Sequence, residues 1–201
     1  MTNAAPRAAA FLDRDGTINF DSNHVSRVED VRLLPGVATA IRRLNEAGIP
    51  VIVVTNQSGI ARRIFDSEAY DRVRARIDEL LRAEGAHVDA SYVCPHHPEF
   101  GGPCDCRKPG TLLHRQAAEA HGIDLKRSWY VGDKWRDVEP ALTLGGTGVL
   151  VPHAGTPQAD VDEAQRRALV LPTLGAFVDA MLGALNDGRA PDALHRESGS
   201  R

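Results

Sequence analysis

The sequence predicts an α/β fold built on a doubly wound, Rossmann-like parallel sheet. Short apolar or β-branched runs alternate along the chain with stretches whose apolar residues recur every three or four positions. Strands that alternate with helices in this way form a parallel sheet with helices on both faces. Polar side chains follow directly after the apolar runs, at the sheet edge where such folds bind their ligands.

Five apolar runs have the length and composition of buried strands. We predict strands at residues 8–12, 51–55, 91–94, 128–132 and 147–151. Because the carboxyl ends of parallel strands meet at one edge, the residues after each run are the first candidates for a functional site.

Helical periodicity fills the intervals between the predicted strands. The first helix is the clearest, because Val37, Ile41 and Leu44 lie on one face and Gly48 follows where a helix would end. A second helix is predicted to have Ser67 as its N-cap. The predicted helices span residues 37–47, 67–85, 111–122, 137–144 and 174–185.

With 201 residues, the chain has the length of one α/β domain. We expect a single domain over residues 8–186, with flexible tails at 1–7 and 187–201. The formal net charge of -3 comes from interspersed charges, which give no basic face for nucleic acid. No run approaches the roughly 20 apolar residues that span a membrane, and no signal peptide is visible. We expect a cytoplasmic protein, with a monomer as the default.

Two aspartates one residue apart follow the first strand, in Asp13-Arg14-Asp15-Gly16-Thr17. A carboxylate at this edge can attack a phosphorus atom, which is the role we predict for Asp13. Asp15 can protonate the leaving oxygen and later activate water against the aspartyl phosphate. The alternative is a solvated Asp-Gly turn, because that dipeptide is common in turns.

Phosphate-binding groups follow the second strand and precede the third helix. The segment Thr55-Asn56-Gln57-Ser58 offers hydroxyl, amide and backbone N–H groups that can hold phosphate oxygens, although such loops are common. Lys108 stands before the third helix, where its ammonium group can neutralise charge on a transferring phosphoryl group. The alternative for a lone lysine is solvated surface.

The fourth predicted strand leads into Gly132-Asp133-Lys134, whose acid is expected to meet Asp13 at the sheet edge. Two carboxylates at one point can hold Mg²⁺, which prefers oxygen ligands and keeps water molecules for an incoming phosphate. The alternative role for Asp133 is an N-terminal cap of the next helix.

Taken together, the segments that follow the strands indicate phosphoryl-transfer chemistry far more specifically than any one segment does. Over about residues 8–152 the chain resembles the haloacid dehalogenase superfamily of phosphatases. The resemblance rests on Phe11-Leu12-Asp13-Arg14-Asp15-Gly16-Thr17, Thr55-Asn56-Gln57-Ser58, Lys108-Pro109 and Gly132-Asp133 with Asp137.

This resemblance implies a set of roles on the matching positions. Asp13 would be the nucleophile and Asp15 the acid and base, with Thr55 and Lys108 as phosphoryl stabilisers. A catalytic Mg²⁺ would bind Asp13, Asp133 and the backbone carbonyl of Asp15.

All three cysteines of the chain lie in a loop rich in Gly and Pro at residues 94–106. Three thiolates and one imidazole make the ligand count of a closed, tetrahedral structural zinc site, which leaves no open position for catalysis. The predicted ligands are Cys94, His96, Cys104 and Cys106. His96 is preferred on the family pattern, with His97 as the alternative, and free cysteines in a surface loop are the alternative to the whole site.

The zinc-binding loop and a minimal cap narrow the resemblance to the D-glycero-D-manno-heptose 1,7-bisphosphate phosphatases and the histidinol-phosphate phosphatases. Lys134 and the segment Ile60-Ala61-Arg62 look like the heptose branch, whereas Arg63 stands where a small residue is common. The resemblance implies removal of the 7-phosphate from a small phosphorylated sugar, with histidinol phosphate as the alternative substrate. Substrate contacts are expected from Asp21, Ser22, Asn23, His24, Asn56, Gln57, Ser58, Arg107 and Lys134.

Two hypotheses from other functional classes stay open. An acidic pocket with a lysine also suits a phosphate-binding signalling domain that does not hydrolyse substrates, but an acid at Asp15 favours hydrolysis. The zinc-binding loop also suits an interaction module with a degenerate active site, although the acid set of this chain is intact.

Overall fold

The computed structural model describes residues 6–21 and 24–187 of the chain. Its centre is a six-stranded parallel sheet with the strand order β3-β2-β1-β4-β5-β6. The strands are β1 (Ala10–Leu12), β2 (Val51–Asn56), β3 (Ala90–Cys94), β4 (Trp129–Gly132), β5 (Thr147–Leu150) and β6 (Leu169–Val170). The order changes direction between β1 and β4, which is the point where open sheets of this kind bind ligands.

In the part of the chain that the structure describes, eight α-helices pack around this sheet. They are α1 (Val37–Glu46), α2 (Ser58–Ala61), α3 (Ser67–Ala83), α4 (Leu112–His121), α5 (Trp135–Val138), α6 (Pro140–Leu144), α7 (Gln158–Arg167) and α8 (Leu174–Asn186). Among these residues, no helix has the length and apolar character needed to cross a membrane.

The predicted fold class and the five predicted strands are confirmed, with small shifts at the strand ends. Two α-helices and one strand were not predicted: α2, α7 and β6. α7 buries only Ala164, so its sequence carries no apolar stripe that periodicity could detect. β6 has two residues, which is too short for a recognisable pattern.

Two helix predictions are wrong in detail. The N-cap of α3 is Asp66 rather than Ser67, because the Asp66 carboxylate accepts the Ala69 N–H at 2.8 Å. The single helix predicted over residues 137–144 is two short helices. Pro140 begins the second of them, since proline has no N–H with which to continue the hydrogen bonds of α5.

Alternate residues of the central strands enter opposite faces of the sheet. In β1, Ala10 and Leu12 join a core that includes residues of α1 and α8, whereas Phe11 joins a second core that includes residues of α4. Burial of each large apolar side chain stabilises the fold by roughly 1.5–3 kcal/mol. The two cores therefore hold the central strands as a rigid platform for the residues that follow them.

The carboxyl ends of β1, β2 and β4 bring predicted site residues to one edge of the sheet. The Asp13 N–H donates to the Val131 carbonyl at 2.9 Å, so the β1 and β4 ends emerge side by side. The connection from β1 to α1 contains only one 3-10 helix among its described residues, Val28–Asp30. The described part of this connection contains no separate cap domain, which agrees with the predicted minimal cap.

Arg63 occupies the left-handed backbone region, with φ 56°. A residue with a Cβ atom rarely adopts that conformation, so glycine would suit this position better than arginine. The predicted tails lie outside the described residues apart from Pro6, Arg7 and Asp187, and the predicted substrate residues Ser22 and Asn23 also lie outside them.

Candidate active site

A buried lysine, Lys108, connects the end of β1 with α5 at the centre of the candidate site. Lys108 Nζ donates to Asp13 Oδ1 at 2.7 Å and lies 2.9 Å from Asp137 Oδ1. Burial alone would lower the pKa of Lys108, but Asp13 and Asp137 together raise it. The lysine is therefore a fixed positive charge beside the Asp13 carboxylate.

Asn56 holds this lysine in place from the end of β2. Its side-chain amide donates to the Lys108 carbonyl at 3.1 Å, and its Oδ1 atom accepts the Lys108 N–H at 3.0 Å. Asn56 was predicted as a substrate contact, and it also lines the cavity described below. Because its amide makes this reciprocal pair, its main role in the structure is to orient Lys108.

Three buried carboxylates form a potential cation site next to the lysine. Asp13, Asp133 and Asp137 each offer an oxygen, and these atoms lie within 4.8 Å of one another. Burial raises the pKa of Asp13 to about 7, with Lys108 opposing the rise and the neighbouring acids adding to it. Burial, and after it Asp137, raises the pKa of Asp133.

The donor set of this cluster fits a divalent cation. Lys108 is the nearest cation to Asp13 and Asp137. Lys134 Nζ lies 3.6 Å from Asp133 Oδ2, and Arg136 Nε lies 3.8 Å from Asp137 Oδ1. A divalent cation would bind the three converging carboxylate oxygens directly. Asp133 Oδ1 is buried and has no hydrogen-bond partner among the described residues. Hard oxygen ligands of this kind are the ones that Mg²⁺ prefers.

Asp15 is held in a network of donors rather than in the acid cluster. Arg14 Nη2 donates to its Oδ2 at 2.8 Å, Asn19 Nδ2 to its Oδ1 at 2.9 Å and Gln57 Nε2 to its Oδ2 at 2.8 Å. Burial would raise the pKa of Asp15, but the charge of Arg14 and these hydrogen bonds lower it. The carboxyl group is therefore ionised in this arrangement.

Gln57 connects the predicted acid and base to the predicted phosphate loop. In addition to its bond to Asp15, the buried Gln57 amide donates from Nε2 to Thr55 Oγ1 at 2.9 Å. Both amide hydrogens are therefore used within the protein. Gln57 was predicted as a substrate contact, and the geometry favours a role in orienting Asp15 and Thr55.

These residues open into a cavity of about 390 Å³ at the carboxyl edge of the sheet. Predicted residues in its lining are Asp13, Asp15, Asp21, His24, Thr55, Asn56, Gln57, Ser58, Arg107 and Lys134. Four cations surround the cavity, and we call them the cationic rim: Arg62, Arg107, Lys134 and Arg136. Such a rim suits a substrate with more than one anionic group.

The members of the cationic rim differ in their partners. Lys134 Nζ lies 3.3 Å from Asp21 Oδ2 and 3.6 Å from Asp133 Oδ2. Arg107 donates from Nη1 to the His96 carbonyl at 3.2 Å. Burial lowers the pKa of Arg107, and repulsion from Arg136 adds to this effect.

The predicted zinc ligands lie together beside this cavity. Cys106 Sγ lies 2.9 Å from Cys94 Sγ and 3.2 Å from His96 Nδ1, and Cys104 completes a group of four ligand atoms within 4.8 Å of one another. A Cys/His cluster of this composition is compatible with a zinc site. His97 is not in that cluster, because its Nε2 lies 2.9 Å from Arg62 Nη2 in the cationic rim.

Sequence reasoning gave no role to Arg136 and His153. It used Arg62 and Asp137 only as parts of the motifs that carry the resemblance, and it named His97 only as the alternative zinc ligand. A signal existed for Asp137, because it belongs with Gly132-Asp133 to the pattern on which the family resemblance rests. The contact of His153 Nε2 with Asp133 Oδ2, at 3.0 Å, joins two loops and has no sequence signal.

Comparison with protein families identifies matches over most of the chain. The polynucleotide kinase 3 phosphatase family model matches residues 8–140, and the HAD-hydrolase-like model matches residues 105–177. A D-glycero-beta-D-manno-heptose-1,7-bisphosphate 7-phosphatase of Yersinia pestis is 41% identical over 170 residues, which cover 82% of this chain and 89% of that protein. The enzyme of the same name from Escherichia coli K12 is 40% identical, covering 75% of this chain and 81% of the relative.

Solved structures of heptose bisphosphate phosphatases are also similar to this chain. The D,D-heptose 1,7-bisphosphate phosphatase from B. bronchiseptica, complexed with magnesium and phosphate, has a TM-score of 0.78 and 33% identity. The match covers 88% of this chain and 98% of that one. The corresponding phosphatase from Burkholderia thailandensis has a TM-score of 0.65 and 30% identity, covering 88% of this chain and 99% of that one.

Proposed function

Because this chain belongs to the haloacid dehalogenase-like phosphatases, in the family of the D-glycero-D-manno-heptose 1,7-bisphosphate 7-phosphatases, we propose that it removes the 7-phosphate from that sugar bisphosphate. The observation that carries the proposal is the Asp13 carboxylate, fixed 2.7 Å from Lys108 Nζ at the base of a cavity with a cationic rim. Histidinol phosphate is the alternative substrate.

The first chemical step is assigned to Asp13. Its carboxylate oxygen attacks phosphorus, the bond from phosphorus to the sugar oxygen breaks, and an aspartyl phosphate forms. Lys108 and Thr55 stabilise the charge on the phosphoryl oxygens. Asp15 donates the proton that the leaving sugar oxygen needs.

Protonation of Asp15 is a condition of that step, because the free protein holds Asp15 as a carboxylate among Arg14, Asn19 and Gln57. We infer that an entering phosphate brings the proton or displaces one of these donors. In the second step Asp15 takes a proton from water, and the resulting hydroxide attacks the phosphoryl group. Inorganic phosphate leaves and the Asp13 carboxylate is restored.

Asp13, Asp133 and the backbone carbonyl of Asp15 are the proposed Mg²⁺ ligands, and Asp137 lies close enough to support them. When bound, Mg²⁺ would neutralise the carboxylates and polarise the phosphoryl group. Asp137 also holds Lys108, at 2.9 Å, which keeps the ammonium group beside Asp13. The metal and the lysine would thus share one buried acid cluster.

A structural zinc is proposed for Cys94, His96, Cys104 and Cys106. Support comes from the distances among these side chains and from the packing of their loop against the cavity. His97 in the loop contacts Arg62, and Arg62 also lies over the Phe100 ring. Zinc would therefore stabilise the side of the cavity that carries Arg62 and Arg107.

A small substrate with two phosphate groups is the one that this cavity suits best. Arg62, Arg107 and Arg136 can contact anionic oxygens beyond the reacting phosphate. We propose that the protein acts as a cytoplasmic monomer without a nucleic-acid or membrane partner. Its net charge of -3 gives no overall attraction to nucleic acid or to an anionic membrane surface.

The test is phosphate release by the purified protein with Mg²⁺ from four substrates in parallel: heptose 1,7-bisphosphate, histidinol phosphate, 4-nitrophenyl phosphate and a 3′-phosphorylated oligonucleotide. The expected result is a kcat/KM for the heptose compound at least about 100-fold above the others. A higher value for histidinol phosphate or the oligonucleotide would replace the proposed substrate. Absence of hydrolysis would leave a non-hydrolytic phosphate-binding module or a zinc interaction module.

A further inference from the structure

The loop after β5 holds Asp133 from outside the cavity. His153 Nε2 lies 3.0 Å from Asp133 Oδ2, and His153 is not among the residues that line the cavity. The contact joins the ends of two neighbouring strands, β4 and β5. The contact gives one oxygen of the buried Asp133 carboxylate a hydrogen-bond partner within the protein.

The position of the hydrogen on the His153 ring follows from its other contact. The Gly155 N–H donates to His153 Nδ1 at 2.9 Å, so Nδ1 is an acceptor. In the neutral ring the N–H is therefore on Nε2, which donates to Asp133 Oδ2. The loop thus fixes both the orientation of the ring and its donor atom.

The same loop also holds the backbone of Asp133. The Thr156 hydroxyl donates to the Asp133 carbonyl at 2.9 Å and accepts the His153 N–H at 3.0 Å. The Thr156 N–H in turn donates to the His153 carbonyl at 2.9 Å. Asp133 is therefore held at its main chain and at one carboxylate oxygen by a single short turn.

The loop after β1 approaches this pair closely from the other side. A Cβ atom on Gly16 would lie 2.7 Å from Asp133 Oδ2 and 2.8 Å from His153 Nε2, and Gly16 has φ +83°. Glycine is needed there for both its backbone conformation and its size. The Asp133–His153 pair is thus enclosed by three loops.

The remaining oxygen of Asp133 is left for a cation. Oδ2 is occupied by His153, with Lys134 Nζ 3.6 Å away, whereas Oδ1 is buried without a partner among the described residues. We propose that His153 is a positioning residue, which sets the affinity for Mg²⁺ by orienting Asp133 so that Oδ1 faces the metal. The inference rests on the proposed function, which makes Asp133 a metal ligand.

The test uses the 201-residue chain with MgCl₂ and has two readouts. The Mg²⁺ dependence of the melting temperature, without substrate, reports binding alone. The Mg²⁺ concentration for half-maximal phosphate release reports function. His153→Ala and His153→Asn should each weaken Mg²⁺ binding about 10–100-fold in both assays, since partners of metal-ligating carboxylates have effects of that size.

A conservative variant separates orientation from packing. His153→Gln places an amide N–H at about the reach of Nε2 and should restore most of the Mg²⁺ affinity. In all three variants the substrate KM at saturating Mg²⁺ should stay near that of the wild type. Wild-type Mg²⁺ affinity in His153→Ala and His153→Asn would overturn this inference alone. A wild-type protein whose melting temperature and activity do not respond to Mg²⁺ would overturn the proposed metal site itself.

Discussion

Lys108 and Asp13 form a buried ion pair, with 2.7 Å between Nζ and Oδ1. The lysine is also the cation closest to Asp137, at 2.9 Å. Removal of its charge leaves the buried Asp13 carboxylate without an ion-pair partner among the described residues, and leaves Asp137 with Arg136 at 3.8 Å. Loss of a buried partner is more damaging than loss of a surface pair. The ion pair therefore links catalysis to the stability of the acid cluster.

Lys108→Met should lower kcat at least about 100-fold, because the ammonium group stabilises charge on the phosphoryl oxygens. Without Mg²⁺ the variant should also lose about 3–5 kcal/mol of unfolding free energy. Phosphate release and urea unfolding measure the two effects. Lys126→Met, at an exposed lysine, is the matched control. Turnover of Lys108→Met near the wild-type rate would rule out the role of this lysine.

Gln57→Leu should reduce kcat about tenfold or more, with a small change in KM. The substitution removes the amide that donates to Asp15 and Thr55 but keeps a side chain of similar length. Both groups are then less well oriented for proton transfer and phosphoryl binding. Steady-state kinetics give the two constants, with Gln116→Leu on the exposed face of α4 as control. A change in KM alone would instead assign Gln57 to substrate binding.

Cys104→Ser should remove zinc and lower the melting temperature. Metal binding of this kind contributes directly to folding free energy, so the loop at residues 94–106 should loosen. Activity should fall as well, because Arg107 is held by the His96 carbonyl. Zinc content, melting temperature and kcat/KM are the measurements, and Asp105→Asn in the same loop is the control. A variant with full zinc content and an unchanged melting temperature would contradict the proposed site.

His114 should make stability depend on pH. Burial, aided by the charge of Lys108, lowers its pKa from 6.5 to about 3, and the ring packs against Phe11 and Tyr130. Below pH 6.5 the unfolded chain binds a proton that the folded protein does not. Stability from this group is therefore present above pH 6.5 and is lost as the pH falls toward about 3.

His114→Leu should abolish that dependence. Relative to the variant, the wild type should lose about 2 kcal/mol of unfolding free energy between pH 6.5 and about pH 5. Urea unfolding at several pH values gives the difference, with His87→Gln at an exposed histidine as control for the loss of an imidazole. Parallel pH profiles for wild type and His114→Leu would show that the pKa of His114 is not lowered by folding.

The sequence was sufficient to predict five of the six strands and to bring Asp13, Thr55 and Asp133 to one edge of the sheet. Parallel strands end at the same edge, so position along the chain implies proximity in space. Lys108 also lies at that edge, and the four candidate zinc ligands lie together. The catalytic and metal-binding roles of these residues remain predictions.

Contacts between loops could not be predicted in the same way. The meeting of Arg62 with His97 depends on how the loop at residues 94–106 packs beside α2. His153 reaches Asp133 because a turn folds back after β5. Gln57 was recognised as a site residue, but its partners depend on side-chain orientation, which periodicity and motif spacing do not specify.

The most direct test of the account is to detect the phosphate on Asp13. The protein would be quenched during Mg²⁺-dependent turnover of heptose 1,7-bisphosphate and treated with borohydride, which reduces an aspartyl phosphate to homoserine. Peptide mass spectrometry should then find homoserine at position 13 in the wild type, and Asp13→Asn should show neither the modification nor phosphate release. Phosphate release by Asp13→Asn near the wild-type rate, or homoserine at a different aspartate, would contradict the central claim.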